Sequence, residues 1–238
     1  MIRMRRTFAV FYLGLAVAAS AAPFETPEEL ARERATVHAQ FPAEFAPVID
    51  DPSLPRVLLI GDSISIGYTT HVREVLRGVA SIHRVPENGG PTSRGLQQLD
   101  WWLGEGRWDV IHFNFGLHDI KLDSDGRPLT SPADYERNLR EIASRLRKTG
   151  AQLVFATTTP VPATLNGGPR RRSADVVERN EIALRAMAEL GVPVNDLYAV
   201  AIDRLAEIQR PENVHFTEEG SRVLATPVAE AIRSQLKK

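Results

Sequence analysis

The sequence predicts an α/β fold: a three-layer α/β/α sandwich around a central, mainly parallel five-stranded sheet. Two observations carry this. Short apolar runs alternate along the chain with longer segments of helical periodicity, the pattern of a parallel sheet covered on both faces. The 238 residues, 43% of them hydrophobic, are enough to build one core of that size.

Taken in order, residues 1–21 do not read as fold. Met1 to Arg6 is basic, Phe8 to Ala19 is apolar, and Ala19-Ser20-Ala21 supplies small residues for cleavage. The expectation is a signal peptide and an exported protein, because the apolar run is shorter than the ~20 residues that span a bilayer. Residues 22–55, rich in Pro, Glu and Ala, read as a leader packing on the domain, with a helix at Pro27 to Gln40. The domain proper is 56–238. Val57 to Ile60 has the length and composition of a buried strand. Ile64 to Arg77 follows as a helix, Ala80 to Arg84 as a strand, Ser93 to Leu103 as a helix, and Val110 to Phe115 as a third strand. Ser131-Pro132-Ala133-Asp134 opens the next helix with a serine cap and proline in the first turn, and Gly150 stops it. Leu153 to Ala156 is the fourth strand, Ser173 to Leu190 a helix closed by Gly191, Val192 to Val194 a short fifth strand, and Thr217 to Leu236 the last helix.

Charge excludes little. Lysine and arginine (29) nearly cancel aspartate and glutamate (30), so no net field points to nucleic acid or to an anionic membrane. With no cysteine, disulfides, thiolate chemistry and a lipoprotein anchor are excluded. No histidine–carboxylate set at ligand spacing implies a metal, and no phosphate-binding glycine loop implies a cofactor. The Thr/Pro/Gly-rich stretch 157–173 ends in Arg170-Arg171-Arg172. It reads either as a solvated loop or as a contact for an oxygen-rich or anionic substrate.

In open parallel sheets ligands bind beyond the carboxyl ends of the strands. There the first strand runs into Gly61-Asp62-Ser63. Glycine allows a tight turn, and Ser63 stands where a helix begins, its own N–H free to face an oxyanion. Alone, such a serine could equally be a helix cap. A serine hydroxyl needs a base, and the base needs a third group that fixes its tautomer. Glu212-Asn213-Val214-His215, just before the last helix, offers a histidine with a carboxylate three residues earlier that can turn back to its ring.

These blocks resemble the GDSL/SGNH hydrolase superfamily from Val57 to the end of the chain. The first block matches at Gly61-Asp62-Ser63. The second resembles Asn88-Gly89-Gly90-Pro91-Thr92-Ser93, the third Gly116-Leu117-His118-Asp119, and the fourth Glu212 to His215. The resemblance implies the flavodoxin-like SGNH fold, with Ser63 as nucleophile, His215 as base and Glu212 as the orienting acid. It implies an oxyanion hole built from the N–H groups of Ser63 and Gly90, the latter favoured over Gly89, and from His118. Two positions depart from the family pattern. His118 stands where asparagine is usual, and a neutral imidazole can still donate one N–H, with Asp119 next door able to bias its tautomer. Glu212 stands where aspartate is usual.

The function this implies is hydrolysis of a small ester, with O-acetyl groups on a carbohydrate favoured. Lysophospholipase or thioesterase activity, acyl transfer to a sugar, and a non-catalytic carbohydrate-binding module on the same fold are the alternatives. His112, on the third strand, reads as a buried hydrogen-bonding residue, and Trp101-Trp102 as core and edge packing.

Overall fold

The computed structural model describes residues 26–166 and 170–237. The expected signal peptide, 1–21, lies outside the described residues. The elements are α1 (Pro27–Gln40), β1 (Arg56–Ile60), α2 (Ser63–Val75), β2 (Ser81–Arg84), α3 (Thr92–Leu103), β3 (Val110–Phe113), α4 (Pro132–Arg147), β4 (Gln152–Ala156), α5 (Ser173–Leu190), β5 (Val194–Asn195), α6 (Leu197–Ile202), α7 (Leu205–Ile208) and α8 (Glu218–Leu236). The sheet has five strands in the order β2-β1-β3-β4-β5, and every pairing is parallel. The order reverses beside β1, which opens a crevice at its carboxyl end.

Alternation along β1 explains the two cores. Val57 and Leu59 point to one face and pack with Val72 of α2, with Leu76 just after it, and with Leu224, Val228 and Ile232 of α8. Leu58 and Ile60 point to the other, against Leu99 of α3, Leu139 and Ile142 of α4, and Ile182 and Ala186 of α5. A strand buried on both faces must be apolar throughout, which is why Val57 to Ile60 is an unbroken hydrophobic run.

Local chemistry sets the helix ends. Thr26 caps α1 in a reciprocal capping box with Glu29, and Ser131 caps α4 with proline at the first position. Gly191 closes α5 in the left-handed conformation. The short helices α6 and α7 are absent from the sequence reading. At six and four residues they offer no periodicity to read.

The leader lies against the domain. Leu30 is buried, Glu33 takes both terminal nitrogens of Arg94 at 3.0 and 2.7 Å, and His38 Nε2 donates to the Pro86 carbonyl at 2.7 Å. Arg34 reaches Glu87 at 3.2 Å, and Asp50 accepts from His83 and Arg56. Through these contacts α1 sits beside the loop joining β2 to α3, at the carboxyl edge of the sheet.

Candidate active site

The turn after β1 is tight. A Cβ on Gly61 would come within 2.7 Å of the Ser65 Cβ, so only glycine lets the strand turn directly into α2. Asp62 caps the helix, its carboxylate accepting from Ile64 N at 2.9 Å. That contact assigns the cap to Asp62 and leaves Ser63, the first helical residue, with its hydroxyl available. Its N–H meets no acceptor among the described residues. Burial raises the Asp62 pKa, against the helix N–H groups and the positive charges of Arg171 and Lys121 that lower it.

Ser63 Oγ lies 2.9 Å from His215 Nε2. The two residues are 152 positions apart and meet because β1 and the α7–α8 connection end at the same sheet edge. Gln209 and Phe216 form an antiparallel bridge that closes this connection into a loop, and Gln209 Nε2 fastens it by donating to the Pro160 and Val214 carbonyls. Burial, then Arg210 and Arg171, lowers the His215 pKa from its usual 6.5, so the ring is neutral at neutral pH.

The third group is not Glu212. Asn213 Oδ1 accepts from His215 Nδ1 at 2.7 Å and from His215 N at 2.9 Å. The second contact is an Asx turn, in which a side-chain oxygen bonds the backbone two residues on. It identifies that atom as the oxygen and places it on the ring at the same time. Nδ1 is thereby the protonated nitrogen, and Nε2 is left as the acceptor for the Ser63 hydroxyl. Glu212 sits in the left-handed region at φ 52°, exposed, and offers its carbonyl to Asn166 N at 2.8 Å. The expectation of a carboxylate turning back over three residues fails because the two-residue turn of Asn213 already occupies the ring.

A similar correction applies to Gly90. Its N–H donates to Asn88 Oδ1 at 3.0 Å, again an Asx turn, and its φ of +62° explains why glycine stands there. The Gly89 N–H donates to the Gly61 carbonyl at 3.0 Å, so neither glycine presents an uncommitted donor. It is Asn88 that lines the cavity with Ser63. With Oδ1 committed to Gly90, the rest of its amide is an NH2 donor.

His118 joins Ser63 and His215 in that cavity. Burial, then the charges of Lys121, Arg171 and Arg94, lowers its pKa well below 6.5, so the ring is a neutral single donor. Asp119 does not orient it. That carboxylate turns away to accept from Thr92 N at 3.1 Å and Thr92 Oγ1 at 2.6 Å, tying the loop after β3 to the start of α3. Its pKa rises to about 6, mainly through burial.

The cavity is about 570 Å³. The leader supplies one wall through Val37, Gln40, Phe41 and Glu44, a contribution the sequence reading does not foresee. Lys121, Arg171 and Arg210 supply positive charge. Of the arginine run, only Arg171 reaches the cavity; Arg172 pairs with Asp175, and Arg170 is exposed.

The remaining histidines lie elsewhere. His112 is buried beside Asn195, whose Nδ2 donates to its Nε2 at 3.2 Å. His71 meets Glu218 at 3.1 Å and His83 meets Asp50 at 2.6 Å. Among the described residues no group of three or more His, Asp or Glu is placed to hold a metal ion. Trp102 is buried with its Nε1 donating to Glu87 at 2.8 Å, and Trp101 lies at the edge under the Arg34 guanidinium.

Comparison with known proteins adds a family. The model of the GDSL-like lipase/acylhydrolase family matches residues 59–223. Among solved structures, the chain is similar to an acetyl xylan esterase, with 17% identity and a TM-score of 0.64 over 74% of this chain and 99% of that one. It is similar to the lipase/acylhydrolase from Enterococcus faecalis, with 21% identity and a TM-score of 0.59 over 76% and 96%. A member of the lipolytic protein G-D-S-L family from Veillonella parvula matches with 19% identity and a TM-score of 0.58 over 76% and 99%. Identity at this level establishes a shared fold. No curated protein sequence matches.

Proposed function

The chain belongs to the GDSL-like lipase/acylhydrolase family and is an ester-hydrolysing enzyme; from that premise we propose that it is exported and removes O-acetyl groups from a carbohydrate through an acyl-enzyme on Ser63. The observation that carries the mechanism is the relay from Ser63 Oγ to His215 Nε2 at 2.9 Å and from His215 Nδ1 to Asn213 Oδ1 at 2.7 Å.

In this reading the Ser63 hydroxyl gives its proton to Nε2 as the oxygen attacks the ester carbonyl. Asn213 holds the ring in the one tautomer that can accept that proton. An amide orients the imidazole without the negative charge that would favour its cation, so His215 remains a weak base suited to near-neutral pH. The developing oxyanion meets the Ser63 N–H, the Asn88 amide NH2 and the neutral His118 ring. Each such donor is worth on the order of 3 kcal/mol in comparable sites. His215 then protonates the departing alcohol, takes a proton from water as it attacks the acyl-enzyme, and returns that proton to Ser63.

Two features support an acetyl ester of a sugar over a long acyl chain. The cavity wall around Ser63 sets Asn88, Asn166, Lys121, Arg171 and Arg210 beside the apolar Phe41, Ile64, Leu165 and Phe216, a mixed wall of the kind that takes the polar edges and apolar faces of a sugar ring. The fold is also similar to that of an acetyl xylan esterase. The test is kcat/KM across acetylated glycans, p-nitrophenyl esters of increasing acyl length and acyl thioesters. The reading predicts the highest value on a sugar acetate and a steep fall beyond short acyl chains. A preference for long-chain esters or thioesters refutes it.

A further inference from the structure

Asn88 sits on the loop joining β2 to α3, and that loop has little to hold it from within. Residues 85–91 form no helix or strand, and Asn88 is followed by Gly89 and Gly90, which loosen any backbone they stand in. A donor stabilises an oxyanion fully only when it is fixed before the charge develops. The loop is therefore fixed from outside. The Gly89 N–H donates to the Gly61 carbonyl at 3.0 Å, which ties it to the nucleophile turn. Arg84 Nη1 donates to the Val85 and Glu87 carbonyls at 2.9 and 3.2 Å, and Trp102 Nε1 to the Glu87 carboxylate at 2.8 Å.

Further anchors come from the leader. Leu30, Glu33, Arg34, Val37 and His38 recur at the spacing of one helix face. Among the described residues of α1 Leu30 alone is buried, so apolar burial contributes little to docking the helix. Three polar residues of that face converge on the loop instead. His38 Nε2 donates to the Pro86 carbonyl at 2.7 Å, and Arg34 donates to the Glu87 carboxylate at 3.2 Å. Glu33 reaches Asn88 through a relay. Its carboxylate takes Arg94 Nη1 and Nη2 at 3.0 and 2.7 Å, and the same Nη1 donates to the Asn88 carbonyl at 2.9 Å. Arg94 is 4% exposed, a guanidinium that burial disfavours without a paired carboxylate. The forked contact fixes the guanidinium plane, and with it the hydrogen that Nη1 directs at Asn88.

Resting on the assignment of Asn88 to the oxyanion hole above, we infer that the leader helix belongs to the catalytic apparatus, with Glu33 a positioning residue that acts through Arg94 to hold the Asn88 amide where the oxyanion forms. Glu33 touches no reacting atom; its effect reaches the reaction through the backbone of Asn88.

The experiment measures kcat and KM for p-nitrophenyl acetate in the full chain, in Glu33→Ala, in Asn88→Ala and in the double variant, with thermal unfolding to confirm that each folds. Glu33→Gln serves if Glu33→Ala does not fold. Glu33→Ala should lower kcat about tenfold, a part of the roughly 100-fold expected when the donor itself is removed, with KM within about twofold. In the Asn88→Ala background the same substitution should change kcat by less than about twofold, because the group it positions is gone. Arg32→Gln, exposed on the same helix, is the control and should keep wild-type values. Wild-type kcat in folded Glu33→Ala overturns the inference, and so does a loss confined to KM, which makes the leader a wall and nothing more. An equal effect of Glu33→Ala in both backgrounds also overturns it, since a merely structural contribution is additive. Wild-type kcat in Asn88→Ala overturns the oxyanion assignment together with the inference. A large loss in Asn88→Ala beside wild-type kcat in Glu33→Ala overturns the inference alone and leaves that assignment intact.

Discussion

Replacing Asn213 by alanine tests the least expected feature of the site. The substitution removes the acceptor of two hydrogen bonds, from His215 N at 2.9 Å and from His215 Nδ1 at 2.7 Å. At about 1 kcal/mol net for each bond, the loop loses on the order of 2 kcal/mol of local stability. The ring also loses the contact that fixes its tautomer. If the same ~2 kcal/mol appears in the barrier, kcat/KM falls roughly 30-fold, most of it in kcat. The assay is hydrolysis of p-nitrophenyl acetate, with thermal unfolding to confirm that the variant folds. Glu212→Gln is the matched control. Its side chain is exposed, and the His215 ring nitrogens are taken by Asn213 and Ser63, so kcat/KM should stay within about twofold of wild type, the ordinary result of a surface change. Asn213→Asp should keep activity and move the acid limb upward, because a carboxylate favours the imidazolium. The reasoning is refuted if Asn213→Ala retains wild-type activity while Glu212→Gln loses it, for then the carboxylate is the orienting group.

Three further outcomes follow from the same geometry. His215 must be neutral to act as base, and its pKa is lowered by burial and by Arg210 and Arg171, so the acid limb of kcat/KM should fall below pH 6.5. Asn88→Ala should cut kcat on the order of 100-fold with little change in KM, and His118→Asn should keep substantial activity, since both assignments rest on donation to the oxyanion. His112 is fully buried with its pKa lowered to about 4, so its contribution to stability is complete above pH 6.5 and is lost as pH falls toward 4. That contribution is on the order of 3 kcal/mol. Asp119, raised to about 6, runs the other way, so the measurement is the difference in urea unfolding between wild type and His112→Asn across that window. A difference independent of pH contradicts the assignment.

What the sequence disclosed was what short-range pattern encodes. The five strands and the long helices follow from apolar runs and caps, and Ser63 and His215 from their places at a strand end and before the last helix. Two errors share a cause. Asn88 and Asn213 each form an Asx turn, and such a turn reassigns which atom faces the site by one or two residues. The motif Glu212 to His215 names the right loop but not the right side chain, because the Asx turn at Asn213 puts its own Oδ1, and not the Glu212 carboxylate, on His215 Nδ1. The tripeptides Asn88-Gly89-Gly90 and Asn213-Val214-His215 do carry the signal, asparagine two residues before the group it binds. The wall supplied by α1, and the arrival of Arg171 but not Arg170 or Arg172, depend on tertiary packing over distances that no local pattern spans.

The central claim is that Ser63 is the nucleophile, and an active-site-directed fluorophosphonate tests it most directly. The account predicts stoichiometric labelling of wild type at Ser63, and a folded Ser63→Ala variant that neither labels nor hydrolyses p-nitrophenyl acetate. Labelling at another residue, or wild-type turnover by Ser63→Ala, would contradict it.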